Sequence, residues 1–285
     1  MKVEGSAHEF RENWVEREET TYSHFTREYP QNQIQLAFRN HWRTWNRLFP
    51  ELSTPGRVLE VGSGRGSLSM YFSQASWVST ILDLVPEVLQ QAKTQFAAHS
   101  LPVKSIVADC LDMPIADNSF DVVFSIGLLE HFTDPGPVLS EQFRVLAPGG
   151  LLVGYVVPEP APGCVQESHE WVNDLLRILL ADDDDSGPGE QKSEVFRSDY
   201  RSEHYSRILS DLGCSGVGHS GTYPLPMISQ SPEFPFTLLP PKAEIALTSY
   251  FQSLLDGRAS AGIDDPWLCE EEFGQAFLVW GRKPS

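Results

Sequence analysis

Apolar positions recur along this chain in two periods. Over residues 34–49, IQLAFRNHWRTWNRLF, Ile34, Ala37, Phe38, His41, Trp42, Trp45, Leu48 and Phe49 fall at steps of three and four, which predicts an amphipathic helix. Pro50 and the STPG of 53–56 end it. From Arg57 the pattern changes to short, nearly continuous apolar runs: RVLEVG (57–62), VSTILDL (78–84), VKSIVAD (103–109), FDVVFSIG (120–127) and LLVGYVV (151–157). Helical stretches lie between them: SLSMYFSQ, then PEVLQQAKTQFAAH with proline near its first turn, then VLSEQFRVL ending in PGG. Strands of this kind alternating with helices predict an α/β fold, a doubly wound and mostly parallel sheet covered on both faces. A strand near 217–224 and a last one over 276–283 bring the expected total to seven.

After Pro158 the rhythm breaks, and the breaks suggest boundaries. Residues 1–56 read as a helical N-terminal lid and 57–158 as the core. Residues 159–197 read as an acidic insertion holding HEWVNDLLRILL and the solvated or disordered loop DDDDSGPGE. A helix over 198–212 and the strand after it continue the core through 225. Residues 226–271 form a proline-rich and helical cap insertion that includes AEIALTSYFQSLLDG, and 272–285 carry the final core strand. No internal repeat is visible.

Composition narrows the functional classes. The formal net charge is −18, with −6 on residues 1–150 and −12 on the rest. Such a balance repels phosphate backbones and anionic headgroups, so nucleic acid is not an expected partner. No run approaches the ~18–20 apolar residues of a membrane span, and the N-terminus lacks an apolar secretory core. Cys110, Cys164, Cys214 and Cys269 are far apart and make no CxxC or Cys/His metal spacing. A cytoplasmic protein with free thiols and no metal site is the expectation.

The stretch VLEVGSGRGSLS, 58–69, puts Gly62, Gly64 and Gly66 directly after the first strand. In an open parallel sheet that exit is where ligands bind, and missing side chains let a ligand lie against backbone. The dinucleotide fingerprint G-x-G-x-x-G wants its third glycine where Ser67 stands; here the order is G-x-G-x-G. Asp83, ending the second strand 21 residues after Gly62, is placed to accept both hydroxyls of an adenosine ribose. Asp109, at the third strand's exit, is placed to accept from an adenine amino group.

LEVGSGRG, the acid in ILDL, ADCLDMPIADNSFDVVFSIGLLEHF and FRVLAPGG, in that order, resemble the successive motifs of class I S-adenosylmethionine-dependent methyltransferases. The resemblance is strongest to the small-molecule branch of quinone, sterol and natural-product enzymes, and covers about residues 57–157. It implies a Rossmann-like fold, S-adenosyl-L-methionine as cofactor and S-adenosyl-L-homocysteine as product. It also implies that Glu60 supports the loop and the cofactor's amino group, and that Gly62, Ser63 and Gly64 line the methionine part. Asp83 would hold the ribose, Leu84 would lie on the adenine, and Asp109 and Cys110 would meet its amino group and edge. Ile126 would border the sulfonium. Each has a plainer counterpart: Glu60 as a buried acid satisfied by loop N–H groups, Cys110 as an apolar filler, PGG as a helix terminator. Arg65, between two glycines, departs from the pattern and affects only the loop's solvent face.

Methyl transfer is an in-line displacement in which positioning supplies much of the rate. A base is needed only where the acceptor must lose a proton. His131, in GLLEHF after the fourth strand, is one candidate, although the Glu-His pair also fits a strand-to-helix turn shaped by the histidine, and that reading carries more weight. Tyr22 and His24 are lid candidates, and His41 reads as a packing histidine. Nine aromatics in the first 50 residues could line a pocket for an apolar or aromatic acceptor, or simply pack on the sheet. The expected reaction is transfer to an oxygen nucleophile of a small, apolar secondary metabolite. Transfer to nitrogen or carbon, an NAD-dependent oxidoreductase and a non-catalytic cofactor-binding partner protein are the alternatives.

Overall fold

The computed structural model describes residues 23–160, 165–180, 196–229 and 238–285. The five apolar runs become β1 (Arg57–Val61), β2 (Val78–Asp83), β3 (Lys104–Val107), β4 (Phe120–Ile126) and β5 (Leu146–Val156). They are joined by α2 (Ser67–Gln74), α3 (Pro86–Ala98) and α4 (Gly136–Val145), and α1 (Gln33–Leu48) precedes them. Beyond β5 come α5 (Val165–Leu180), α6 (Ser202–Asp211), β6 (Ser215–Thr222), α7 (Pro241–Ser260), β7 (Leu268–Cys269) and β8 (Ala276–Arg282). The sheet has eight strands in the order β3-β2-β1-β4-β5-β8-β6-β7. The seven expected strands are all present, and the eighth is the two-residue β7, too short to leave a pattern.

Strands β3, β2, β1, β4 and β5 pair in parallel, and β8 enters antiparallel between β5 and β6. Alternate residues divide between two cores. Val58, Phe124, Val153, Tyr155 and Leu278 face a cluster shared with Trp45 of α1 and Leu68 and Phe72 of α2. Leu59, Val123, Leu152 and Phe277 face the other, with Val138 and Leu139 of α4 and Tyr205 of α6. Strands buried on both faces explain why these runs are continuously apolar rather than alternating. Between β1 and β4 the chain changes direction across the sheet, which is the switch point where a crevice opens.

Helix α1 begins at Asn32, whose side chain accepts from Gln35 N at 2.9 Å. Its apolar stripe buries Ile34, Ala37, His41 and Trp45. A third cluster joins Leu36 of α1 to Tyr223, Leu225 and Ile228, to Phe251 and Leu255 of α7, and to Trp267. Thus the N-terminal helix and the cap close on each other over the same end of the sheet.

The PGG of 148–150 does not terminate a helix. Helix α4 stops at Val145, and β5 begins at once with a register shift between Phe120 and Val122. Gly149 takes φ +76° and donates to the Lys283 carbonyl at 2.8 Å, so the glycines serve a bulge tied to β8. The acidic DDDD run of the insertion lies outside the described residues, as does Tyr22. Among the described residues no helix is long and apolar enough to cross a membrane.

Candidate functional site

The glycine loop leaves β1 at the switch point. Gly62 and Gly66 both have φ +63°, a left-handed conformation that penalises a side chain. A Cβ on Gly62 would stand 2.7 Å from Leu128 Cδ1, and one on Gly66 3.0 Å from the Phe96 ring. Both are therefore glycine because of backbone geometry and internal packing. Backbone geometry therefore gives these two positions a reason to be glycine besides room for a ligand.

Asp83 ties this loop to β2. Its Oδ2 accepts from Gly64 N at 2.9 Å and its Oδ1 from Val85 N at 3.0 Å. Burial raises its pKa, while these N–H donors oppose the shift. Its two oxygens offer about four acceptor sites, more than these bonds use. Ser63, also in the loop, has an enclosed Oγ with no partner among the described residues. Glu60, 2% exposed, points the other way under α2, where Oε2 accepts from Ser69 N at 3.1 Å. Burial, reinforced by the nearby Asp83, pushes Glu60 up to about 8, so it is protonated at neutral pH.

Arg65 is 9% exposed and buried, not on the loop's solvent face as expected. Its charge adds to burial in holding His24 down to about 3. His24 Nδ1 lies 2.6 Å from Ser67 Oγ at the start of α2, and the ring stacks on Phe38 of α1 at 5.3 Å. The entry segment therefore lies against the helix that the glycine loop opens.

Beside Asp83, the exits of β2 and β3 are apolar and open. Asp83 pairs with Val107, and its carbonyl accepts from Ala108 N at 3.1 Å. Leu84 and Leu111 remain 49% and 43% exposed. Asp109 is exposed at this rim, with Oδ1 accepting from Leu111 N at 2.9 Å. Cys110 is half-buried against the second core, and burial, then Asp109, pushes its thiol up to about 12. Ile126, half-buried, ends β4 in register with Tyr155.

His131 sits in the turn after β4, 6% exposed. Its Nδ1 lies 2.7 Å from the Phe196 carbonyl, which can only accept, so that nitrogen carries the proton. Burial lowers its pKa to about 4. Ser198 N also donates to the Glu130 carbonyl at 2.7 Å, so the segment returning from the insertion is stitched along this turn. Glu130 itself is 1% exposed, with Oε1 accepting from Val157 N at 3.2 Å.

The loop, Asp83, Leu84, Asp109, Cys110 and Ile126 thus share one rim of the sheet, and His24 roofs it. Glu60 and His131 face inward from it. Sequence reasoning passed over Tyr155 and Tyr223, took Glu130 only as half of the turn's Glu-His pair, and read His41 as packing. The available signal was a polar side chain at each strand exit or inside an apolar turn.

Residues 59–154 match a family described as a methyltransferase domain. A demethylmenaquinone methyltransferase of Thermus thermophilus is 32% identical over 124 residues, 42% of this chain and 56% of that protein. A chloroplastic tocopherol O-methyltransferase of Arabidopsis thaliana is 37% identical over 139 residues, 44% of this chain and 40% of that one. The chain spans about half the length of these sequence relatives. The solved phospholethanolamine N-methyltransferase 2 of Haemonchus contortus shares the fold with TM-score 0.53 at 16% identity, over 86% of this chain and 53% of that one. Residues 59–154 thus carry a methyltransferase domain, and the motif order and sheet topology around them agree with the class I S-adenosylmethionine-dependent kind.

Proposed function

We propose that the chain binds S-adenosylmethionine at the β1/β4 switch point and passes its methyl group, by in-line displacement, to an oxygen nucleophile of a small apolar or aromatic molecule. The observation that carries this reading is the Asp83 carboxylate, fixed by Gly64 N and Val85 N yet with acceptor capacity to spare beside the open Leu84 and Leu111. That arrangement suits a ribose next to a flat base. Covering two half-exposed leucines removes apolar surface from water, at ~25 cal/mol per Å². The enclosed Ser63 Oγ suits a polar group of the methionine part. The bound cofactor supplies an electrophilic methyl group on a sulfonium.

The chain's own residues then have four tasks. Asp83, Leu84, Asp109 and Cys110 hold the adenosine half; Gly62, Ser63 and Gly64 line the other half, with Glu60 bracing the loop. Ile126 offers an apolar wall at the reacting carbon, where exclusion of water favours loss of the positive charge. Of the proposed lid (1–56) and cap (226–271), the described residues 23–56, 226–229 and 238–271 pack beside the core of 57–158, 198–225 and 272–285. His131 holds the turn by donating to Phe196, and His24 anchors the lid at Ser67. A small-molecule acceptor is supported by the relatives named for demethylmenaquinone and tocopherol. Transfer to carbon or nitrogen is the alternative.

Isothermal titration with S-adenosylhomocysteine and, separately, NAD tests the reading. Saturable binding of the first alone is the expected result. Binding of NAD with none of S-adenosylhomocysteine would sink it.

A further inference from the structure

His41, Tyr155 and Tyr223 come from three distant parts of the chain and meet over the exit of β5. The His41 ring lies 4.5 Å from Tyr155 and 6.3 Å from Tyr223, centroid to centroid. Trp267 closes the group, 5.2 Å from His41 and 4.7 Å from Tyr223. His41 is 4% exposed, Tyr223 5% and Tyr155 7%. Trp267 Nε1 donates to His41 Nδ1 at 3.0 Å. An indole N–H can only donate, so Nδ1 presents a lone pair. Burial lowers the pKa to about 3 and keeps the ring neutral, which puts its proton on Nε2. His41 Nε2–H is thus a donor and has no hydrogen-bond partner among the described residues.

The same is true of the Tyr155 and Tyr223 hydroxyls. A buried polar group left unpaired is costly, so three in one place call for a partner. They are also not sealed in. The wholly enclosed, unpartnered polar atoms of the described residues include Tyr71 Oη and Trp45 Nε1 but none of these three, so solvent reaches each of their tips. Tyr155 also stands beside the proposed donor site. Tyr155 is in register with Ile126, and its carbonyl accepts from Gly127 N at 2.9 Å. Phe38, one turn before His41 on α1, carries the aromatic lining across to His24 at 5.3 Å.

We propose that His41 Nε2–H, Tyr155 Oη–H and Tyr223 Oη–H form the oxygen-binding cage of the acceptor site, and that the acceptor is a planar aromatic molecule with hydroxyl or carbonyl oxygens on the ring it presents. This rests on the methyltransferase reading above and deepens it. Flat aromatic walls select a ring, while three converging donors reject a hydrocarbon of the same shape because they stay unpaired against it. The neutral His41 binds oxygen here and takes no proton from it.

The test is a fluorescence titration of 7-hydroxycoumarin, a planar probe with a hydroxyl and a carbonyl oxygen, into protein saturated with S-adenosylhomocysteine. Wild-type protein should bind it, and naphthalene should compete at least tenfold more weakly. Tyr155→Phe, Tyr223→Phe and His41→Phe should each lose roughly tenfold in probe affinity, with S-adenosylhomocysteine affinity unchanged as the sign of an intact fold. His41→Gln, which keeps a side-chain N–H, should recover much of the loss. Absence of probe binding to wild-type protein that binds S-adenosylhomocysteine, equal competition by naphthalene, or unaltered probe affinity in all three variants overturns the cage and leaves the methyltransferase reading standing. Failure of S-adenosylhomocysteine itself to bind overturns both.

Discussion

Asp83 is engaged on both oxygens within the protein, to Gly64 N and Val85 N, and this double use shapes what its loss should do. In Asp83→Ala the glycine loop loses its tether to β2, and the acceptor proposed for the ribose goes with it. Calorimetry should show S-adenosylhomocysteine bound at least tenfold more weakly, or about 1.4 kcal/mol. An unchanged affinity would remove Asp83 from the cofactor site. Two glycines of the loop show how one residue type can answer two demands. Gly62 and Gly66 were expected to make room for a ligand, and they also take positive φ with Leu128 and Phe96 packed where a Cβ would go. His131 likewise has a tautomer set by Phe196, a residue 65 positions away, which no local pattern could reveal.

At the scale of elements, α1 is held to the cap by one buried carboxylate. Glu244 of α7 is 2% exposed; its Oε2 accepts from Gln33 N at 3.0 Å, and its Oε1 from Gln33 Nε2 at 3.0 Å and Leu239 N at 2.9 Å. Gln33 also spans to Ile228, donating to its carbonyl at 3.1 Å and accepting from its N–H at 3.1 Å. Removal of the acceptor in Glu244→Ala strands three donors in a buried place. Urea unfolding should show a loss of about 2–3 kcal/mol, and hydrogen exchange should quicken first in α1 and at Leu239. The cost of Trp45→Ala should be larger, about 3–5 kcal/mol, because that ring is wholly buried between α1 and the sheet.

For the whole molecule, buried titratable groups set the pH range of stability. His24, His41 and His131 have folded pKa values of about 3, 3 and 4, below the ordinary 6.5. The unfolded chain protonates first, so the stability they hold above 6.5 is lost as pH falls toward those values. Glu60 and Glu130, pushed up by burial to about 8 and 7, act in the opposite sense. Their contribution is full below the ordinary 4.5 and is lost as pH rises through 7 and 8. Asp83 is shifted upward and His99 downward, and these two oppose each other. Between 4.5 and 6.5 three histidines outweigh two glutamates; above 6.5 the glutamates act alone. Thermal melts across pH 5–8.5 should therefore peak near about 6.5, and Glu60→Gln should flatten the alkaline side. A melting temperature that climbs steadily through pH 8 would contradict the burial of these carboxyls.

The sequence by itself determined the α/β class, the five parallel strands with their helices, the glycine loop and the order of acids in β1 and at the exits of β2 and β3. These are local facts, because the period of apolar residues and the turn chemistry at strand exits are written in contiguous stretches. It missed β7, which is two residues long, and it misread PGG, whose role depends on the distant strand β8. Tertiary structure alone decided which polar groups meet. His41, Tyr155, Tyr223 and Trp267 lie far apart along the chain, and only the crossing of α1 over the ends of β5 and β6 brings them within ring contact. The proposed donor half of the site was legible because one strand–loop–helix unit and the next two strand ends would build it. The proposed acceptor half was not, because its side chains share no segment and are related only by packing.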